Sequence, residues 1–243
     1  MKYLPYKLIY ISFILILAIG CSESTFNSFE EEKEQVQLCS RLSIDSSLVV
    51  SNENEVILIA GTKEEEIFNI TNSDIDICKL NQGLGREYFP ALFAPEYTEL
   101  KHFDYSDNMR CIVIKDQGAV KVYPYSLLSQ HEVINENVGD EPVVIVFCEL
   151  AELAVVYTRK YCNKEFNFAP SGFTYFDNNF WDGVQGILMW DRETESLWWP
   201  LNDHALSGLM RNTLLEKANF HSRSYSQAKF QFYYLFYYQT LPI

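Results

Sequence analysis

The chain is short of basic residues. Lys and Arg number 19 against 33 Asp and Glu over 243 residues, a net charge of −14. This excludes a nucleic-acid partner, because phosphate backbones are held by a basic face. It also excludes electrostatic docking on an anionic membrane surface. A membrane-spanning run is missing too: the uncharged stretch Leu8 to Gly20 has 13 residues, whereas a bilayer-crossing helix takes about 20. No two of the six cysteines lie two to four residues apart, so no zinc-ligand spacing exists. The four histidines include no H-E-x-x-H pair. Gly83-Leu84-Gly85 lacks the third glycine and the strand–turn–helix setting of a phosphate cradle. There is no internal repeat. No metal site follows from the sequence, and no cofactor is identified.

What is present is the material of a globular fold. Hydrophobic residues make up 48 % and charged residues 21 %, so a folded part buries a core without metal staples. Residues 1–21 read as an export signal, with Lys2 and Lys7 before the uncharged run. The run ends L-A-I-G-C, which resembles a bacterial lipobox with Cys21 as the lipidated residue. The expected location is therefore the cell envelope, on the periplasmic or outer-membrane side, with membrane attachment through the lipid. Residues 22–54, with E-E-E-K-E and little apolar material, read as a flexible acidic tether. A short solvated helix over Glu30–Leu38 is the alternative there. Residues 55–215 form the expected domain, and 216–243 an aromatic-rich tail ending Q-F-Y-Y-L-F-Y-Y. Such a tail is either a final buried strand or a poorly specified end.

Within the domain the pattern is β. Glu55–Ala60, Cys111–Ile114, Ala119–Tyr123, Val143–Phe147, Leu153–Tyr157, Glu165–Phe168, Phe173–Phe176, Ile187–Trp190 and Leu197–Trp199 are strand-type runs. Most are too closely spaced for parallel crossovers, so antiparallel pairing is expected. Val143–Phe147 is apolar throughout and reads as a central strand buried on both faces. Pro124 opens a short helix over Y-S-L-L-S-Q-H. The segment from Asp76 to Tyr97, with Gly83, Gly85, Pro90 and Pro95, reads as an ordered loop. The expected class is α+β, mainly antiparallel: a barrel-like or sandwich domain with one or two short helices.

The motifs G-R-E-Y-F-P-A-L, A-V-K-V-Y-P, H-E-V-I-N-E, P-V-V-I-V-F-C, S-G-F-T-Y and D-R-E-T-E-S-L-W occur in that order. Over about Asp74 to Leu215 the chain resembles a bacterial family known as domain of unknown function 3179. That family implies export and membrane attachment but no activity. Two departures stand out. Family members commonly follow the cysteine with Pro-Leu-Cys-Gly or Pro-Leu-Thr-Gly, whereas Cys148 is followed by Glu149-Leu150-Ala151-Glu152. Ala151 offers no resolving thiol for a redox pair. The family's hairpin glycine is Glu195 here, where a positive φ is strained by about 1 kcal/mol.

The candidate catalytic residues are His131, Glu132, Cys148 and Asp191; the candidate binding residues are Asn135, Arg192, Thr194, Ser196 and Trp198. Histidine is the residue type that can gain or lose a proton in general acid–base chemistry, and Arg192 offers a planar fork suited to Glu132. Arg192 or Asp191 is expected within hydrogen-bonding reach of His131, Glu132 or Asn135, with Thr194 and Ser196 on the side of Arg192. Against each stands a structural role: Cys148 as a small core residue, the polar group as a buried network, and Trp181, Trp190, Trp198 and Trp199 as core rather than ligand platform. The function read from the sequence is a binding or structural envelope component, with a small molecule or a protein as ligand. The alternative is an envelope enzyme, hydrolytic or thiol-redox, using His131, Glu132, Cys148 and Asp191. An open pocket at His131 favours a site; a filled core favours structure.

Overall fold

A computed structural model describes residues 44–224 except 64–65, 98, 100–101, 103–105, 117–118 and 181–184. The strands in chain order are β1 (Val49–Ser51), β2 (Val56–Ile59), β3 (Ile67–Asn69), β4 (Leu80–Gln82), β5 (Leu92–Phe93), β6 (Arg110–Asp116) and β7 (Ala119–Pro124). After helix α1 (Tyr125–His131) come β8 (Val133–Val138), β9 (Glu141–Cys148), β10 (Leu153–Thr158), β11 (Lys160–Tyr161), β12 (Lys164–Glu165) and β13 (Phe168–Tyr175). The chain continues through β14 (Gly186–Asp191), β15 (Leu197–Trp199), β16 (His204–Ala205) and β17 (Phe220–Ser224). The sheets are open, with orders β10-β9-β8-β5, β16-β15-β14-β13-β4, β1-β2-β3, β17-β6-β7 and β11-β12. Pairing is antiparallel except where β5 runs parallel to β8. The fold is α+β with sandwich-like β layers rather than a closed barrel.

Three hydrophobic cores explain the layering. Val144, Val146 and Cys148 of β9 meet Phe168, Ile187, Met189 and Trp198 between the two large sheets. The alternate β9 residues Val143, Ile145 and Phe147 pack on the other side against Ile112, Tyr123, Leu127 and Leu128 of the β6–β7–α1 layer. On the far face of the second large sheet, Leu188, Trp190 and Trp199 pack against Leu58 and Phe68 of the β1–β3 sheet. A strand between two cores needs apolar residues at every position, which is why β9 and β14 read as continuous runs.

The sequence expectations need adjusting in four places. The stretch read as a tether up to residue 54 carries β1, which pairs with β2 through Val49↔Leu58, so the fold reaches further toward the N-terminus. The segment read as an ordered loop from Asp76 contributes β4 and β5, which extend both large sheets. Pro124 is the N-cap of α1 rather than its first residue. Part of the 216–243 tail belongs to the fold, since β17 pairs with β6 from Phe220↔Ile114 to Ser224↔Arg110. Cys21, Glu30–Leu38, Cys39, Trp181 and the final aromatic run lie outside the described residues. Among the described residues no helix is long and apolar enough to cross a membrane.

Candidate functional site

A cavity of about 320 Å³ opens where β9 ends and β13 kinks. Its floor is apolar, built by Phe147, Pro170, Phe173 and Ile187; Ser129 and Glu132 reach it from α1, and Cys148 and Glu149 from the end of β9.

Glycine geometry makes this opening. β13 shifts register between Pro170 and Thr174, and Gly172 sits there at φ +85°. Ser171 Oγ donates to Leu188 O at 2.6 Å and accepts from Phe173 N at 3.1 Å, so the bulge keeps its polar groups paired. The 83–85 loop lies against it, with Gly83 N donating to Gly172 O at 2.8 Å. A Cβ on Gly172 would lie 2.1 Å from the Gly85 carbonyl carbon, so these backbones meet only as glycines. The G-L-G stretch is therefore a packing device at the pocket rim.

Helix α1 ends by turning its last two polar residues apart. His131 is buried, and its Nδ1 lies 2.8 Å from the Pro90 carbonyl, to which it donates. Glu132 follows at φ +58°, a left-handed value costly for a residue with a Cβ. Its N–H donates to Leu128 O at 2.7 Å and its carbonyl accepts from Phe147 N at 2.8 Å. That turn carries the Glu132 side chain to the cavity, where the carboxyl has no hydrogen-bond partner among the described residues. Burial, then the nearby charge of Glu149, pushes it up to about 7.

Cys148 is a free thiol, 2 % exposed. Burial raises it; backbone N–H groups of Ala151, Ile187 and Leu150 directed at the sulfur pull the other way, and the Glu132 charge pushes up again. The thiol form prevails, which disfavours attack by this sulfur.

The remaining sequence candidates go elsewhere. Asp191 is fully buried and accepts from Thr194 N at 2.6 Å, Thr194 Oγ1 at 2.8 Å and Trp198 Nε1 at 2.8 Å. Thr194 Oγ1 also lies 2.7 Å from Ser196 Oγ. Asp191 is raised by burial, opposed by the bonds from Trp198 and Thr194. These residues form a hairpin knot. Arg192 does not meet Glu132; its Nη2 donates to Glu87 at 2.5 Å, and its guanidinium lies 5.0 Å from the Phe93 ring. Thr194 bonds Asp191, and Ser196 Oγ pairs with Thr194 and accepts from Met210 N at 3.0 Å; neither side chain bonds Arg192 among the described residues. Neither Asp191 nor Arg192 bonds His131, Glu132 or Asn135 among the described residues, which corrects the expected link. The connection is indirect: Asn135 grips the backbone of Phe168, the residue opposite Asp191 in the sheet. Trp198 is fully buried between the large sheets and offers no platform. Of the expected catalytic set, the cavity brings together Glu132 and Cys148 alone.

Sequence reasoning missed a second polar cluster. Lys121 Nζ donates to Glu136 Oε1 at 2.8 Å and to Asn137 O at 2.6 Å, and Tyr97 OH donates to Glu136. Burial pushes the Glu136 carboxyl up and the Lys121 ammonium down. The signal was a lysine inside the alternating run A-V-K-V-Y, on the face of buried Tyr123. Among the described residues no group of three or more His, Cys, Asp and Glu is arranged to hold a metal ion.

A family model described as "Protein of unknown function (DUF3179)" matches residues 86–232, more than half of the chain. No curated protein and no solved structure matches. The match contains the whole α1–β9 and β13–β15 framework around the cavity.

Proposed function

The chain belongs to the DUF3179 family, and on that premise we propose that it is an exported protein whose Glu132–Cys148 cavity binds a small, largely apolar molecule. The observation that carries this reading is an apolar cavity of about 320 Å³ into which one half-buried carboxyl projects, with no hydrogen-bond partner among the described residues. Small-molecule sites share this make-up: apolar walls with a few polar groups that orient the ligand. A carboxyl partly withdrawn from water at the edge of an apolar cavity supplies such an orienting group.

Export and anchoring through Cys21 complete the reading. Their support is the Lys2–Lys7 start, the uncharged run and the L-A-I-G-C end. The disulfide-bonded state of Cys78 fits an oxidising compartment outside the cytoplasm. Cys21→Ala is expected to leave an unprocessed precursor without lipid. Equal detergent partitioning and equal processing of parent and variant would refute the anchor.

An enzymatic role is the second reading, favoured by the backbone N–H groups that face the Cys148 sulfur. Burial of that thiol, the engagement of His131 and Asp191 elsewhere, and Ala151 in place of a resolving cysteine weigh against it.

The binding reading is tested by fluorescence titration of the full chain with a neutral apolar probe, N-phenyl-1-naphthylamine. Saturable one-to-one binding is expected. A linear, unsaturable signal would refute it.

A further inference from the structure

The charges lining the cavity define its ligand more narrowly. Among the described residues two carboxylates, Glu132 and Glu149, line it, and no Lys, Arg or His does. The rim is apolar: Leu84, Tyr88 and Leu150 line the opening while remaining 62 %, 63 % and 62 % exposed. Large apolar side chains left in water beside a cavity mark a surface that a partner or ligand covers.

We propose that the molecule bound here is a cationic amine on a short apolar body, with its ammonium against Glu132 and its hydrocarbon on Phe147, Phe173 and Ile187. The inference rests on the binding reading above. An anionic ligand would meet two carboxylates and no cation. A neutral ligand that displaces water would leave the carboxylate without a counter-charge, whereas an ammonium supplies both a charge and donors, neither of which Glu132 finds among the described residues. The apolar wall excludes the water that would otherwise weaken such a pair.

The site also makes binding pH-dependent. Among the described residues the titratable or charged groups around Glu132 are Glu149 from the turn after β9, Cys148 from β9 and Tyr88 from the glycine-rich loop; His131, its chain neighbour, is turned to Pro90. Without ligand, burial and Glu149 hold the Glu132 carboxyl near 7. An alkylammonium keeps its proton up to about pH 10. Between pH 6 and pH 8 only the carboxyl therefore changes, from mostly protonated to mostly ionised.

Calorimetric titration of the full chain with hexylamine, 1-hexanol and hexanoate tests the proposal. At pH 8 hexylamine should bind about tenfold or more tighter than either of the others, and lowering the pH to 6 should weaken it about tenfold while leaving hexanol unchanged. Glu132→Gln should remove the preference for the amine, and Glu149→Gln should reduce it by less. Hexanol or hexanoate binding as tightly as hexylamine would overturn the amine and leave the cavity as an apolar site. Binding of none of the three would overturn the cavity as a ligand site and this inference with it. A preference that survives Glu132→Gln would remove Glu132 from its role. If that variant does not fold, the pH dependence of the unaltered protein decides.

Discussion

Asn135 holds the backbone of Phe168 with both ends of its amide: Phe168 N–H donates to Oδ1 at 2.8 Å, and Nδ2 donates to the Phe168 carbonyl at 2.7 Å. The pair joins β8 of one large sheet to β13 of the other, at positions buried from solvent. A side chain here imitates a strand neighbour. Asn135→Leu leaves a buried N–H and a buried carbonyl unpaired, each costing about 1–3 kcal/mol. The expected loss is about 3 kcal/mol, read as a lowered denaturant midpoint. A loss under about 1 kcal/mol would mean that water replaces the amide.

Glu132 sets a pH dependence of stability. Burial first, and the Glu149 charge second, push its folded pKa up to about 7 from the ordinary 4.5 of a glutamate. The folded state then binds the extra proton between those values, so its contribution is fully present below about pH 4.5 and is lost as pH rises through 7. Glu132→Gln should flatten that part of the profile and raise stability at pH 8 by roughly 1–3 kcal/mol, allowing for partial solvent screening. Chemical denaturation of both proteins from pH 4.5 to 8 checks the sign. A variant that is less stable at pH 8 would mean that Glu132 has an attractive partner.

Cys148 should be slow to react. The sulfur is buried and its thiol form is favoured, whereas Cys162 is free and exposed. Iodoacetamide at neutral pH should label Cys162 first and Cys148 only on unfolding. Cys148→Ala should cost on the order of 1 kcal/mol through a small cavity. Fast, selective labelling of Cys148 in the folded protein would favour the enzymatic reading instead.

The hairpin after β14 separates two effects. Glu195 sits at φ +55° and accepts from Arg86 Nη2 at 3.1 Å. Glu195→Ala loses the pair and keeps the strain, while Glu195→Gly loses the pair and relieves it. The glycine variant should be the more stable of the two by about 1 kcal/mol. Arg192→Leu, which breaks a surface pair with Glu87, should cost only about 0–1 kcal/mol. A loss near 3 kcal/mol would restore the buried role that the sequence suggested for Arg192.

These cases mark what the sequence made legible. Val143–Phe147 could be read as a strand buried on both faces because it has no polar residue at any position. Which sheets cover it could not be read, since an apolar run does not name its partners. His131 and Glu132 were picked out as polar residues at a helix end, but only the positive φ of Glu132 decides that one ring turns to Pro90 and one carboxyl to the cavity. The partner of Arg192 is not legible in the sequence, because Glu87 lies 105 residues earlier in the glycine- and proline-rich segment. Asp191, by contrast, is satisfied within seven residues by Thr194 and Trp198. The D-R-E-T-E-S-L-W motif held that information.

The proposed ligand lies in the cavity between α1, β9 and β13. Ser129→Phe tests it most directly, because Ser129 lines that cavity from α1 and a ring there takes up its space. Parent and variant are titrated with N-phenyl-1-naphthylamine after circular dichroism has established equal folding. Saturable binding to the parent and at least a tenfold loss in the variant are expected. Equal affinity for both would place the probe elsewhere and contradict the cavity as the functional site.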